Sequence, residues 1–159
     1  MSDKEIFLEY EVHSMNETYK YDIARCFVTI YSDGTCIIKV NLATDNLPPR
    51  IVKIMEDNET IFQIPCEDMK KLKKSIFLYN FFLIPSDING SGYDGYESYI
   101  TVYKKGKPHK CGGYLPSNKN YKLLEEIIYN IIKTELTCLK YNLKLEILND
   151  GFIITTSKI

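Results

Sequence analysis

The sequence has no tryptophan, only two histidines, no long apolar run and almost no net charge. Each scarcity removes a class of function. With His13 and His109 alone, and neither an H-x-H nor an H-x-x-x-H spacing, a histidine-built metal centre is not expected. The five cysteines (Cys26, Cys36, Cys66, Cys111 and Cys138) are odd in number, widely spaced and free of any C-x-x-C pair. They predict small buried apolar groups in a reducing compartment rather than a disulfide frame or a zinc site. The longest apolar run, Ile76 to Ile84, is interrupted by Asn80 and is far too short to span a bilayer. The opening MSDKEIFLEYEV carries acids within its first five residues and no apolar signal core, so export is not expected and a cytoplasmic location is. A net charge of −1 gives no global field to draw in nucleic acid or an anionic membrane. Neither G-x-x-x-x-G-K-[ST] nor G-x-G-x-x-G occurs, which removes the familiar phosphate cradles.

What is present is a chain of 159 residues, 45% hydrophobic and 26% charged, with 13 Tyr and 7 Phe. That length suits one domain able to bury about 70% of its unfolded surface. Ile, Lys, Asn and Tyr recur throughout, as an AT-rich coding bias would also produce, so tyrosine abundance alone carries no functional weight. Charge is unevenly spread: residues 1–60 hold 11 acids and 6 bases, whereas residues 61–122 hold 5 acids and 10 bases. The first third is acidic and the middle basic.

The patterning predicts hairpins and two helices. Glu5 to Val12 alternates as a half-buried strand, with Ile6, Leu8, Tyr10 and Val12 on one face and Glu5, Glu9 and Glu11 on the other. Arg25 to Tyr31 and Cys36 to Leu42 form a hairpin around Asp33-Gly34. Arg50 to Met55 and Thr60 to Ile64 read as a second hairpin around Asp57-Asn58-Glu59, ended by Pro65. A helix then opens at Cys66-Glu67-Asp68, buries Met69, Leu72, Ile76 and Tyr79, and fails near Asn80. Ser86 to Tyr96 is a glycine-bearing loop. Ser98 to Tyr103 and His109 to Tyr114 pair across Lys105-Gly106-Lys107, and Pro116-Ser117-Asn118 caps a helix over 119–134. In that helix Leu124, Ile127, Ile128, Ile131 and Ile132 face inward, and Glu125, Glu126, Tyr129, Asn130 and Lys133 are expected to face away. Leu143 to Leu148 and Phe152 to Thr156 make a last hairpin. The fold class that follows is α+β: one domain, with an antiparallel sheet built from hairpins and two helices packed on one face.

Four stretches invite chemistry. Asp87-Ile88-Asn89-Gly90-Ser91-Gly92 matches the first half of an EF-hand calcium loop. The match fails where the bidentate acid belongs, at Ser98, with Glu97 one position short, and a strand follows instead of a helix; an ordinary loop is the expectation and no cofactor is assigned. His109 and Cys111 would share a strand face, and with Asp94 they define an alternative reading as a hydrolytic group. Such dyads are normally assembled from separate elements, so no catalytic residue is assigned. Tyr93, Tyr96, Tyr99, Tyr103 and Tyr114, interleaved with Lys104, Lys105, Lys107 and Lys110, suit either a protein interface or single-stranded nucleic acid. The lysines around Leu72 read as the solvated face of a helix.

A short helix ending in F-F-x-x-P, an acidic-glycine loop with Asp94-Gly95, the strand I-T-V-Y-K-K-G-K-P-H, a Gly-Gly-Tyr strand end and a Pro-Ser-Asn-capped helix together give a recognisable punctuation. Over roughly Glu67 to Glu135 it resembles small uncharacterised bacterial domains, some found beside polymorphic or contact-dependent toxins, where they act as immunity partners. The resemblance implies a non-enzymatic, protein-binding role and brings no active-site residues. On that reading Glu9, Glu11, Asp22, Glu56, Asp57 and Glu59 mimic phosphates against a basic toxin. Tyr93, Tyr96, Tyr99, Tyr103, Lys104, Lys105 and Lys107 would supply further contacts. A single-stranded nucleic-acid module is the remaining alternative.

Overall fold

A computed structural model of the chain describes residues 4–14, 23–42, 51–54, 59–92, 96–142, 144–149 and 152–157. The elements in chain order are strands β1 (Ile6–Ser14), β2 (Ile23–Tyr31), β3 (Thr35–Leu42), β4 (Ile51–Ile54) and β5 (Glu59–Gln63), then helix α1 (Cys66–Leu78). Strands β6 (Tyr96–Lys104) and β7 (Lys107–Tyr114), helix α2 (Lys119–Asn142), and strands β8 (Lys144–Asn149) and β9 (Phe152–Ser157) follow. Six strands form one antiparallel sheet in the order β5-β3-β2-β1-β6-β7, and β4-β8-β9 form a second, three-stranded sheet. The fold is α+β.

Turn chemistry sets two of the hairpins. Between β2 and β3, Gly34 takes φ +90 and Asp33 Oδ1 accepts the Thr35 N–H at 2.9 Å. This is a three-residue loop closed by a left-handed glycine rather than a two-residue turn. Between β6 and β7, Lys105 and Gly106 both have positive φ (51 and 75), the twist-matched geometry of a two-residue connection.

The predicted pairing of residues 50–55 with 60–64 is not what forms. β5 pairs with β3, matching Cys36 with Phe62 and Ile38 with Thr60, while β4 pairs with β8. Joining β5 to β3 puts Phe62 on the core side of a large sheet; a lone hairpin has no such surface to bury against. The anticipated Asp57-Asn58 turn lies outside the described residues.

Both helices cover one face of the six-stranded sheet. Leu8, Tyr10, Val28, Ile30, Ile38, Val40, Ile100, Val102 and Cys111 point into that layer. Leu72 and Ile76 from α1 meet them, with Leu124, Ile128 and Ile132 from α2. α1 stops where expected: Asn80 is left-handed (φ 52), and the next turn, Phe81–Leu83, drives Phe81 fully into the core. α2 begins at the Asn118 cap, whose Oδ1 accepts the Tyr121 N–H at 3.0 Å. It outruns its predicted end because Leu136 and Leu139 continue the apolar stripe past Thr134, and no glycine or proline intervenes. One inward position was misread: Glu125 is buried, not facing away.

Candidate partner-binding face

The sheet's other face is half-exposed, and no described helix packs on it. Strand alternation decides its chemistry. β1 lies between β2 and β6, so the outward residues of β1 meet those of β6 across the ladder. Glu9 stands opposite Thr101, Glu11 opposite Tyr99 and His13 opposite Glu97. The Tyr103 hydroxyl donates to Glu9 Oε1, and the Tyr99 hydroxyl donates to Glu97 Oε1. These bonds push both phenols above their ordinary range, Tyr99 to about 12, so each remains a protonated donor. Lys110 of β7 sits 4.7 Å over the Tyr99 ring. His13 Nε2 lies 3.4 Å from Glu11 Oε2, with its ring edge-on to Phe27 of β2. Three carboxylates, two tyrosines and the Lys110 ammonium therefore share one patch, with Arg25 of β2 opposite His13 at its edge.

This arrangement joins groups that the sequence presents as separate, acidic segments near the start and tyrosines near residue 100. Glu9, Glu11, Tyr99 and Tyr103 are brought together. Glu59 is on the same face but at the far edge, opposite Lys39. Tyr96 points the other way, into the helix layer. Lys104 also turns to the helix side, 5.3 Å over the Phe82 ring, and Lys105 and Lys107 sit exposed at the hairpin tip. Asp22, Glu56, Asp57, Tyr93 and Asp94 lie outside the described residues. Lys110, expected on the tyrosine–lysine surface, lies on the patch, and Glu97 joins it without having been singled out for it; its period-two spacing with Tyr99 and Tyr103 is the signal that points to it.

Beneath the sheet lies a second polar group, largely buried. Glu125 accepts from Tyr10 at 2.5 Å, from Tyr96 at 2.8 Å and from Ser98 at 2.9 Å. Because the single Ser98 proton goes to Glu125, the 2.8 Å contact between Ser98 and Tyr121 has the Tyr121 hydroxyl as donor. Burial, with the neighbouring Glu125 charge, raises Tyr10, Tyr96 and Tyr121 well above the ordinary phenol range. The inward turn of an acid on α2 is thus solvated by three hydroxyls, with Tyr121 behind Ser98. It ties α2 to β1 and β6.

The other motifs resolve into structure. His109 Nε2 bonds the Ile84 carbonyl at 3.0 Å and its ring stands edge-on to Phe81. Cys111 is fully buried, and desolvation pushes its thiol up to about 12, opposite to the depressed value of a nucleophilic thiolate. Cys36 is pushed up to about 12 for the same reason. A thiol-reactive dye should therefore label Cys66 and Cys138, both exposed, within minutes in the native state. Cys26, Cys36 and Cys111 should follow only at the unfolding rate; fast native labelling of Cys111, located by mass spectrometry, would contradict this placement. In the glycine loop, Asp87 Oδ1 accepts the Asn89 N–H and Asn89 Oδ1 accepts the Tyr114 N–H at 2.8 Å. The Asn89 oxygen holds the loop to β7, while the Asp87 oxygen closes a turn within the loop. Among the described residues no group of three or more His, Cys, Asp or Glu is placed to hold a metal ion. Nor is any described helix long and apolar enough to cross a membrane.

No protein-family model matches the chain, and no curated protein matches it significantly.

Proposed function

We propose that this protein is a non-enzymatic binding partner of another protein, and that its role is to sequester a basic bacterial toxin domain as an immunity protein. The observation that carries the reading is the patch of Glu9, Glu11 and Glu97 set among Tyr99 and Tyr103 on the open sheet face. Flat, aromatic-bearing surfaces with preset donors and acceptors lose little freedom on docking, which favours affinity. The three carboxylates select a cationic partner and steer its approach. The resemblance of residues 67–135 to immunity domains supplies the class of partner. The same carboxylates weigh against single-stranded nucleic acid: a phosphate chain stacking on Tyr99 or Tyr103 would meet Glu97 and Glu9, and Lys104 is directed to the opposite side.

The test is co-purification with the protein encoded immediately upstream, followed by reversal of the patch. The complex should form with an association rate that drops steeply with salt, and Glu9→Lys with Glu11→Lys should weaken it about 100-fold or more. A neighbour that is not a toxin and forms no complex would sink the proposal. So would a complex whose affinity stays within about threefold of the wild type after the double reversal, since 1.4 kcal/mol per tenfold would put the patch outside the interface.

A further inference from the structure

On the helix side of the sheet, at the β6–β7 hairpin tip, α1 and the sheet do not close fully. They leave an open cleft of about 270 Å³. Its walls are apolar: Phe7 of β1, Ile76 and Phe77 of α1, Phe82 of the turn after α1, and Val102 of β6. Lys73, Lys104 and Lys105 line it as well, with Tyr103 at its border with the sheet face, and no described acid does. Two of these ammonium groups are held over aromatic walls, Lys73 at 5.5 Å from Phe7 and Lys104 at 5.3 Å from Phe82, so charge and apolar surface belong to one site. The apolar surface continues outward. Phe77 is 67% exposed and Leu83 is 81% exposed. Large side chains left this open together, beside a cavity, mark an interaction surface more than chance exposure.

The cleft is smaller than the roughly 300–1,000 Å³ typical of small-molecule sites. It matches instead the pocket that takes one large side chain at the centre of an interface, with the exposed Phe77 and Leu83 left for flanking contacts. We propose that this cleft is a second docking site, which takes an aromatic or large aliphatic anchor residue flanked by Asp or Glu in an extended segment of a partner protein. The charge argument fixes the flanks: three lysines and, among the described residues, no carboxylate at the opening favour an acidic segment and repel a basic one. The site is therefore complementary to the opposite kind of surface from the acidic sheet face. It does not depend on that face's having a toxin as its partner.

Fluorescein-labelled peptides with a central Phe, Leu or Ala, each flanked by Glu pairs or by Lys pairs, separate the components by anisotropy with the full chain. The Glu-flanked Phe and Leu peptides should bind about tenfold or more tighter than the Ala-centred or Lys-flanked ones, the step expected from a single anchor or a few rim charges. Lys104→Glu with Lys105→Glu, both surface changes that leave the core intact, should remove that preference, and amide NMR shifts should centre on Phe77, Phe82 and Val102. Three results would overturn the proposal. They are equal binding of all peptides, binding untouched by the lysine reversals, and binding of decanoate in the cleft with no peptide bound. Each is read without the upstream partner, so failure here leaves the sheet-face reading standing, and failure there leaves this one.

Discussion

Glu125→Ala should lower stability by about 3–5 kcal/mol, because one truncation strips the acceptor from two buried hydroxyls and one half-buried one. Tyr10 would keep its burial and lose its partner, half-buried Tyr96 would lose its own, and Ser98 would be left with Tyr121 alone; an unsatisfied buried donor costs about 1–3 kcal/mol. The released volume adds a cavity between α2 and the sheet. For a domain this size the melting temperature should fall by about 10 °C or more. Glu125→Gln keeps the shape and one acceptor oxygen, so its cost should be about 1–2 kcal/mol. Calorimetry on the pair reads the difference: equal small losses for both would mean that the hydroxyls find other partners and that the network does not hold α2 to β1 and β6.

The same cluster predicts how the protein responds to alkali. Tyr10, Tyr96 and Tyr121 have pKa values raised above the unfolded value of 10.0, and a neutral phenol is the form the fold favours. Their contribution is thus fully present below about pH 10 and is lost as pH rises toward the folded values. The late part of the rise in phenolate absorbance should coincide with loss of helical circular dichroism. In Glu125→Ala the late part should move to lower pH.

Local punctuation carried most of the fold. Asp33-Gly34 marked the β2–β3 turn, Pro65 and Asn80 bracketed α1, and Asn118 opened α2, each because one residue's backbone preference or cap decides the conformation on the spot. What could not be read was pairing between distant segments. β1 lies against β6 about ninety residues away in sequence, and β4 joins β8 rather than its neighbour β5; neither choice leaves a trace in a turn. The candidate site suffers from the same blindness. The outward period of Tyr99 and Tyr103 is written in β6, yet their meeting with Glu9 and Glu11 depends on that β1–β6 register. Glu125 is the sharpest case. An acid at the edge of an apolar stripe reads as solvent-facing unless the hydroxyls that solvate it are known, and Tyr10 and Ser98 arrive from other strands.

Gly112→Ala should be nearly as damaging as the loss of Glu125, for a steric reason. Gly112 pairs with Tyr99 across the β6–β7 ladder, while its own N–H donates to Ser86 O at 3.2 Å and its carbonyl accepts from Ile88 N at 3.1 Å. It is pinned between β6 and the glycine loop. A Cβ there would lie 2.1 Å from the Ser98 carbonyl oxygen and 2.7 Å from Tyr99 Cα, at a φ of +150 that side chains rarely adopt. The obstructing atoms are backbone, and Ser98 is itself fastened to Glu125, so neither side can give way cheaply. Overpacking and backbone strain together cost about 3–5 kcal/mol. Two other glycines grade the effect. At Gly113 the obstruction is the Asn89 side chain, which can swing aside at the expense of its bond to Tyr114 N, and the cost should be smaller. At Gly106 nothing lies within 4 Å of the added carbon, leaving only the penalty of a positive φ, about 1 kcal/mol. Urea denaturation of the three alanine variants should rank them Gly112, Gly113, Gly106 from most to least destabilised. If Gly112→Ala proved no worse than Gly106→Ala, β6 and β7 would not approach at Gly112 as closely as these distances require.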